Sequence, residues 1–537
     1  MNSLNRLDKE IVMHPSNTKN AAKIRTRISG VEPKLRSEKF ALATLRGAVI
    51  VAVLSATLLM SARPAHAQTE EVLYSFTGTS DGSQPASNLT MNNGNFYGTT
   101  YAGGLGYGTV FEVSPNGTGG WTETTLYSFC PVAGCADGQN PTYSYVMFDS
   151  QGNLYGTAFG GGANGYGVVF KLTNSGGTWT ESVLYSFANA PDGANPENGL
   201  IMDSAGNLYG STHGGGGNGK GCVYELSPSG NTWTERVIYD INSAHSALTL
   251  GPTGTIYGTT YTTIFELTPN GSGGWTPTVL FTFDSAGSAT EGYDPNGTLV
   301  LDGAGNLYGT TETGGANNAG VVFKLTPAQT TPWPETLLFS FGGNAKYGPN
   351  GSDPVAGIVF DSKANIYGTT KAGGVKGAGT VYELVAPASS KGLYQEHVVF
   401  NFDGEDGAKP LSALIIDSSG YLYGTTQGGG ANAEGSVFEA NAHANITKTT
   451  LTSSPNPSTE GEPVTFTATV TSSAGVPPPD GENVLFDKIG NAPLMGGVAT
   501  FTTKKLKVGT TQTSATYAGD INFTSTSSPK IIQTVNQ

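Results

Sequence analysis

Residues 199–241 read GLIMDSAGNLYGSTHGGGGNGKGCVYELSPSGNTWTERVIYDI. Four short apolar pieces, LIMD, NLYGST, CVYEL and RVIYDI, are separated by Asp, Gly, Asn and Pro. Pieces of this length, rich in β-branched and aromatic side chains and bounded by turn formers, read as strands. The same order recurs along the chain. Tyr-Gly-Thr-Thr or a close variant begins at Tyr97, Tyr155, Tyr209, Tyr257, Tyr308, Tyr367 and Tyr423, at spacings of 58, 54, 48, 51, 59 and 56 residues. Four strands per unit of about 50 residues is the pattern of a propeller blade, so seven copies predict a seven-bladed β-propeller. Helical periodicity is absent after residue 67.

Loop length sets the phase of the blade. In the fourth copy the glycine-rich stretch shrinks to Tyr261-Thr262-Thr263, which leaves room only for a hairpin between TIYGTT and IFEL. Those strands are therefore neighbours. The longest connection, from LYSF to the next LIMD, is the crossover between blades. A blade then runs LIMD, NLYGTT, VFEL, LYSF from the axis outward. The last copy ends at Ala440 without an outer strand, and residues 69–76 (TEEVLYSF) match residues 180–187 (TESVLYSF). The N-terminal segment is expected to close the ring by pairing residues 72–76 with 436–440, which removes two exposed sheet edges.

Tandem GNLYGTT…GG…GTVFEL units in all seven copies resemble the GloVer tandem-repeat proteins of bacteria, the choice-of-anchor class. The resemblance covers residues 71–440. It implies no established biochemical activity; members typically end in a cell-surface anchor, and neither a sortase motif nor an apolar tail stands at the C-terminus of this sequence. From Thr447 the composition shifts to Thr, Ser and Pro, and about 90 residues of alternating strands resemble a bacterial Ig-like domain, notably in Ala515-Thr516-Tyr517-Ala518-Gly519-Asp520.

Upstream of the repeats, residues 47–60 (GAVIVAVLSATLLM) follow Arg46 and precede Ala65-His66-Ala67. A basic flank, a short apolar run and an A-x-A site predict a secretory signal peptide with a long n-region, cleaved to leave Gln68 first. The expected organisation is 1–67 signal peptide, 68–445 propeller and 446–537 Ig-like domain. The product is exported, to the cell surface or medium with the periplasm as the alternative, and no later segment spans a membrane. Residues 1–67 hold 11 of the 27 Lys+Arg and 4 of the 41 Asp+Glu, which leaves the body with 16 positive and 37 negative charges, a net of −21. Such a body has no footprint for nucleic acid and is repelled by anionic lipid.

The expected function is a non-enzymatic binding or structural platform on an Ig-like spacer, monomeric, with an extracellular polysaccharide or a surface protein as partner. The alternative is a secreted glycoside hydrolase or lyase on the propeller scaffold, but no copy carries a unique acidic cluster of the kind a glycosidase needs. The crossovers repeat Asp-Gly-x-x-Pro or a relative: Asp81-Gly82…Pro85, Asp137-Gly138…Pro141, Asp192-Gly193…Pro196, Glu291-Gly292…Pro295, Asn350-Gly351…Pro354 and Asp406-Gly407…Pro410. These crossovers and the glycine-rich loops are alternate connections, so both emerge on one face, where Asp137, Asp192 and Asp406 are the candidate ligand-binding residues near the channel mouth. Calcium is the one cofactor the carboxylates suggest; one carboxylate per loop is too few for a cage, and turn chemistry accounts for the motif.

Trp121, Trp179, Trp233, Trp275 and Trp333 share one repeat position on the other face. They are the alternative binding set, by stacking on sugars, against a plain role as hydrophobic covers. No histidine pair has metal spacing, and His213 beside a glycine loop reads as a solvated residue. Cys130 and Cys135 could close a small disulfide in an oxidising compartment, and Cys222 reads as a small buried residue.

Overall fold

The computed structural model describes residues 70–537 apart from His245 and segments 284–290, 343–347, 388–392, 442–446, 473–475, 520–522 and 524–525. The expected signal peptide, and with it the expected cleavage site, lies outside the described residues. Within them every regular element is a β-strand.

Residues 70–441 form seven antiparallel sheets, one per repeat. In the third, Ile201–Met202 is innermost, followed by Leu208–Gly215, Cys222–Ser229 and Thr232–Asp240 at the rim. The seventh takes its outer strand from the N-terminus. Glu70–Ser75 pairs antiparallel with Ser436–Asn441, with Val72 opposite Phe438 and Ser75 opposite Ser436. The expected phase and closure are both found.

The motif Tyr-Gly-Thr-Thr is explained by its neighbours. Its glycine lies opposite the aromatic of the third strand, as Gly98 does opposite Phe111. A Cβ on Gly98 would stand 2.6 Å from the Phe111 ring, so no other residue fits there. The first threonine reaches across to the next blade. Thr157 Oγ1 donates to the Asn198 carbonyl (2.9 Å), Thr310 to Ala356 (2.8 Å), and Thr425 to Ser87 (3.0 Å), the last joining the two ends of the ring. The second threonine turns back on its own glycine loop, as in Thr100 Oγ1 to the Ala102 carbonyl at 3.0 Å. A hydrophobic cluster fills each of the seven seams. Six hold a T-shaped ring pair with centroids 4.9–5.3 Å apart, such as Phe129 with Phe170 and Phe341 with Tyr382. Ile241 stands in the remaining one.

Two features depart from the strand reading. The innermost strands are two or three residues long rather than four; in five of the seven the following Asp starts a turn, as in Asp203-Ser204-Ala205-Gly206-Asn207, where the Asp203 carboxylate accepts from the Ala205 and Asn207 amides, both at 2.9 Å. The outer strand also carries a bulge in every blade, at the Leu of Leu-Tyr-Ser-Phe or its equivalent, as where Val110 pairs Tyr127 and Phe111 pairs Thr125. The bulge lets two consecutive residues, Leu126 and Tyr127, pack against one core.

Residues 447–536 form a β-sandwich. One sheet has seven strands, including Thr447–Ser454, Val464–Ser472 and Val498–Thr503, and the other has three. Strict alternation along Val464–Ser472 puts Val464, Phe466, Ala468 and Val470 into the core beside Phe486, Leu494 and Tyr517.

Candidate functional site

Each crossover lies along the top of the second strand of its own blade. Gly193 pairs with Gly215 and Pro196 with Thr212, and bridges such as Ser83 to Ala102, Gln139 to Gly160 and Ala408 to Gly428 repeat this contact around the ring. Crossovers and glycine loops therefore share one face, as alternating connections require. The crossover also reaches the preceding blade. Asn140 N donates to the Tyr107 carbonyl (2.7 Å) and Asn195 N to the Tyr166 carbonyl (2.8 Å).

One residue in each crossover is forced into the left-handed region: Gln84, Asn140, Asn195, Ser243, Asp294, Asp353 and Lys409, with φ between +53° and +64°. Asn and Asp tolerate this conformation best among residues with a side chain. Its carbonyl fixes the backbone of the residue that follows Tyr-Gly-Thr-Thr, as in Tyr101 N to Gln84 O (3.2 Å), Phe159 N to Asn140 O (3.1 Å) and Lys371 N to Asp353 O (3.0 Å).

That following position carries six residue types over the seven repeats: Tyr101, Phe159, His213, Tyr261, Glu312, Lys371 and Gln427. His213, Tyr261, Glu312 and Lys371 line a cavity of about 270 Å³ together with crossover residues that include Asn88, Tyr143, Glu197, Asn296, Val355 and Leu411. All seven repeats contribute, which places the cavity at the axis, in the mouth of the channel. Within it Lys371 Nζ meets Glu312 Oε1 at 3.2 Å, and Asn296 Nδ2 donates to Glu312 Oε2 at 3.4 Å. The Tyr143 hydroxyl is held above the usual phenol range, by burial first and then by Glu197 and Glu312, while Lys371 pulls the other way. Tyr261 is raised likewise, by burial and then by Asp294 and Glu197.

Asp137, Asp192 and Asp406 lie on this face but do not line the cavity. Their carboxylates are turned into their own loops. Asp137 accepts from the Tyr127 hydroxyl and the Cys130 amide, both at 2.8 Å. Asp192 accepts from Tyr185 Oη (3.1 Å), Ala188 N (2.7 Å) and Gly193 N (2.6 Å). Asp406 accepts from the Asp403 amide at 3.0 Å, and burial raises its carboxyl to about 7. Asp81 follows the same plan, with Tyr74 Oη at 2.9 Å. Asp192→Ala is thus expected to cost about 1–3 kcal/mol by leaving the Tyr185 hydroxyl and the Ala188 amide without their acceptor. Urea unfolding of the variant beside the parent checks this.

The five tryptophans stand at the base of the hairpin between third and outer strands, as Trp121 opposite Pro115 and Trp179 opposite Asn174. Each packs on a seam core: Trp121 on Phe96 (5.5 Å), Trp275 on Tyr209 (5.7 Å), Trp179 and Trp233 along their clusters, and Trp333 nearly buried. A depression of about 360 Å³ beside Trp275 also reaches Asp203, Glu225 and Arg236. Cys130 and Cys135 are disulfide-bonded, and Cys222 is free and buried. Burial pushes the Cys222 thiol up to about 12. Among the described residues no group of three or more His, Cys, Asp or Glu is placed to hold a metal ion.

Residues 106–290 and 260–475 match the Gloeobacter/Verrucomicrobia repeat. The chain belongs to this repeat family. Residues 451–536 match the bacterial Ig-like domain of group 3, so the fold is a propeller of Gloeobacter/Verrucomicrobia repeats followed by an Ig-like sandwich. No curated protein matches the chain. Among solved structures it is similar to the extracellular domain of a hybrid two-component system from B. thetaiotaomicron, at 12% identity and a TM-score of 0.45, over 88% of this chain and 58% of that one. The chain thus spans little more than half the length of that structure. It is also similar to a virginiamycin B lyase from Staphylococcus aureus, at 15% identity and a TM-score of 0.44, over 69% of this chain and 98% of that one. Among the described residues no helix is long and apolar enough to cross a membrane.

Proposed function

We propose that this repeat protein is an exported, non-enzymatic binding protein whose ligand enters the channel mouth, with the Ig-like sandwich as a spacer. One observation carries the reading. Scaffold positions repeat almost unchanged around the ring, whereas the residue after Tyr-Gly-Thr-Thr varies, and four of the seven, His213, Tyr261, Glu312 and Lys371, face one cavity at the axis. A rigid scaffold that varies where its loops converge is the usual layout of a binding face. Export rests on the apolar run 47–60 and on Ala65-His66-Ala67.

The purified protein is to be tested on an array of glycans and surface polysaccharides, with release of new reducing ends followed in parallel. Retention without product is expected. It should be lost in a Tyr143→Ala, Glu312→Gln double variant and kept in a Trp179→Ala, Trp233→Ala double variant. Product formation would favour a hydrolase or lyase, and dependence on the tryptophans would move the site to the opposite face.

A further inference from the structure

We propose that four tyrosines, Tyr101, Tyr107, Tyr143 and Tyr166, form a track from the channel mouth over the first two blades that binds an uncharged polysaccharide chain. This rests on the mouth being part of the binding face, since Tyr143 lines the cavity, and it names the class of ligand. All four residues are 38–41% exposed. One chain of hydrogen bonds ties their backbones together. Asn140 Nδ2 donates to the Tyr101 carbonyl (3.0 Å) and Asn140 N to that of Tyr107 (2.7 Å). Phe159 N donates to the Asn140 carbonyl (3.1 Å), Asn195 Nδ2 to the Phe159 carbonyl (3.0 Å), and Asn195 N to that of Tyr166 (2.8 Å). Tyr143 follows Asn140 by three residues.

Two departures from the repeat mark these rings as additions to the scaffold. The residue before the glycine that precedes the third strand is Tyr107 or Tyr166 in the first two blades, but Lys220, Ala319, Ala378 and Glu434 in others. The second crossover is also one residue longer. A serine hydroxyl that accepts from the first threonine amide of Tyr-Gly-Thr-Thr stands two places after Pro85 and Pro410, at Ser87 and Ser412, but three after Pro141, at Ser144. Within that extra length Tyr143 takes φ +50°, which a bulky residue seldom adopts. Backbone strain of this kind collects at ligand sites.

Composition selects the ligand. Segments 101–108, 138–146 and 159–167 contain no Asp, Glu, Lys, Arg or His. The neighbouring Asp137 and Asp192 carboxylates are taken up inside their own loops. The track therefore offers a charged ligand no counter-charge. Ten of the 26 residues in these segments are glycine, so the rings stand on nearly bare backbone. That makes flat stacking platforms rather than the closely packed side chains of a protein interface. A tyrosine has an apolar face and a polar tip, which suits the C–H faces and hydroxyls of sugar rings. Four rings spread over two blades match a chain of several sugars.

Affinity electrophoresis of the purified protein through gels of β-glucan, xylan, galactomannan or starch, with alginate and an empty gel as controls, tests this. Retardation by at least one neutral polymer and none by alginate is expected. Tyr107→Ala, Tyr166→Ala should weaken it at least tenfold. Tyr107→Phe, Tyr166→Phe should weaken it no more than threefold, because the ring carries the stacking. Both tyrosines are tied to the loops by their backbone carbonyls, so an unchanged urea midpoint is expected in each pair. No retardation by any neutral polymer, equal retardation by alginate, or full retention by the alanine pair overturns the track. If the Tyr143→Ala, Glu312→Gln variant still loses retention on the array, the channel mouth stands without the track; if neither pair loses it, both readings fall.

Discussion

Phe76→Ala is expected to destabilise the propeller by about 3–5 kcal/mol, the cost of emptying a packed aromatic site. Phe76 is fully buried, and its ring meets Phe111 of the first blade edge-on at 5.0 Å. Its own backbone belongs to the last blade, where its amide donates to the Gly435 carbonyl (3.0 Å) and its carbonyl accepts from Asn432 Nδ2 (3.1 Å). The side chain is thus the bolt between two blades that lie at opposite ends of the sequence. Each seam core is built from two adjacent blades, so loss at the closure should lower the stability of the whole ring rather than fray one strand. Equilibrium urea unfolding followed by tryptophan fluorescence measures this. Val279→Ala, at a position 41% exposed on another outer strand, should stay within about 0.5 kcal/mol. A cost below about 1 kcal/mol for Phe76→Ala would mean that the ring does not depend on this seam.

The second large effect concerns pH. Glu123, Glu181, Glu235, Glu335 and Glu396 occupy one repeat position on the outer strands, opposite Val113, Leu172, Leu226, Leu325 and Leu384. Burial raises the first four to about 7 and Glu396 to about 8. The charges of Asp81, Asp137, Asp192 and Glu291 add to the rise at Glu123, Glu181, Glu235 and Glu335 in turn, while His397 works against it at Glu396. The folded protein therefore holds these protons more tightly than the unfolded chain does. Their contribution is complete below the ordinary glutamate value of about 4.5 and is lost as pH rises through about 7.

Asp81, Asp149, Asp203 and Asp302 act in the opposite sense. Hydrogen bonds outweigh the burial that would raise them and hold them below the usual aspartate range, so their contribution is lost as pH falls below about 4. Stability should peak between about pH 4 and 5 and decline from there towards pH 7. After allowing for the water that reaches half-buried side chains, the glutamates should forfeit on the order of 1 kcal/mol each by pH 8. Urea midpoints measured across pH 4–9 check this. The Glu123→Gln, Glu181→Gln, Glu235→Gln triple variant should flatten the alkaline limb, and an unaltered limb would sink the assignment.

The sequence by itself determined the repeat number, the order of strands in a blade and the closure of the ring. These follow from local facts: short strands must alternate with turns, a three-residue link can only be a hairpin, and a last blade short of one strand needs the spare Leu-Tyr-Ser-Phe at the other end. The bulge at that motif was less legible, because two adjacent apolar residues facing one core contradict the alternation of a regular strand. The aspartates of the crossovers stood out because they repeat, and repetition marked what the fold needs in every blade. The hydroxyls of Tyr127 and Tyr185 take up the carboxylates of Asp137 and Asp192, at 2.8 and 3.1 Å. The candidate site had the opposite signature. After each Tyr-Gly-Thr-Thr the residue changes, and that signal was present in the sequence at Tyr101, Phe159, His213, Tyr261, Glu312, Lys371 and Gln427. Its meaning was not, because Tyr143 and Lys371 are 228 positions apart in the chain. Only the closing of seven blades around one axis, with each crossover locked to its neighbour by a left-handed residue, brings His213, Tyr261, Glu312 and Lys371 together with Tyr143 in the wall of a single cavity.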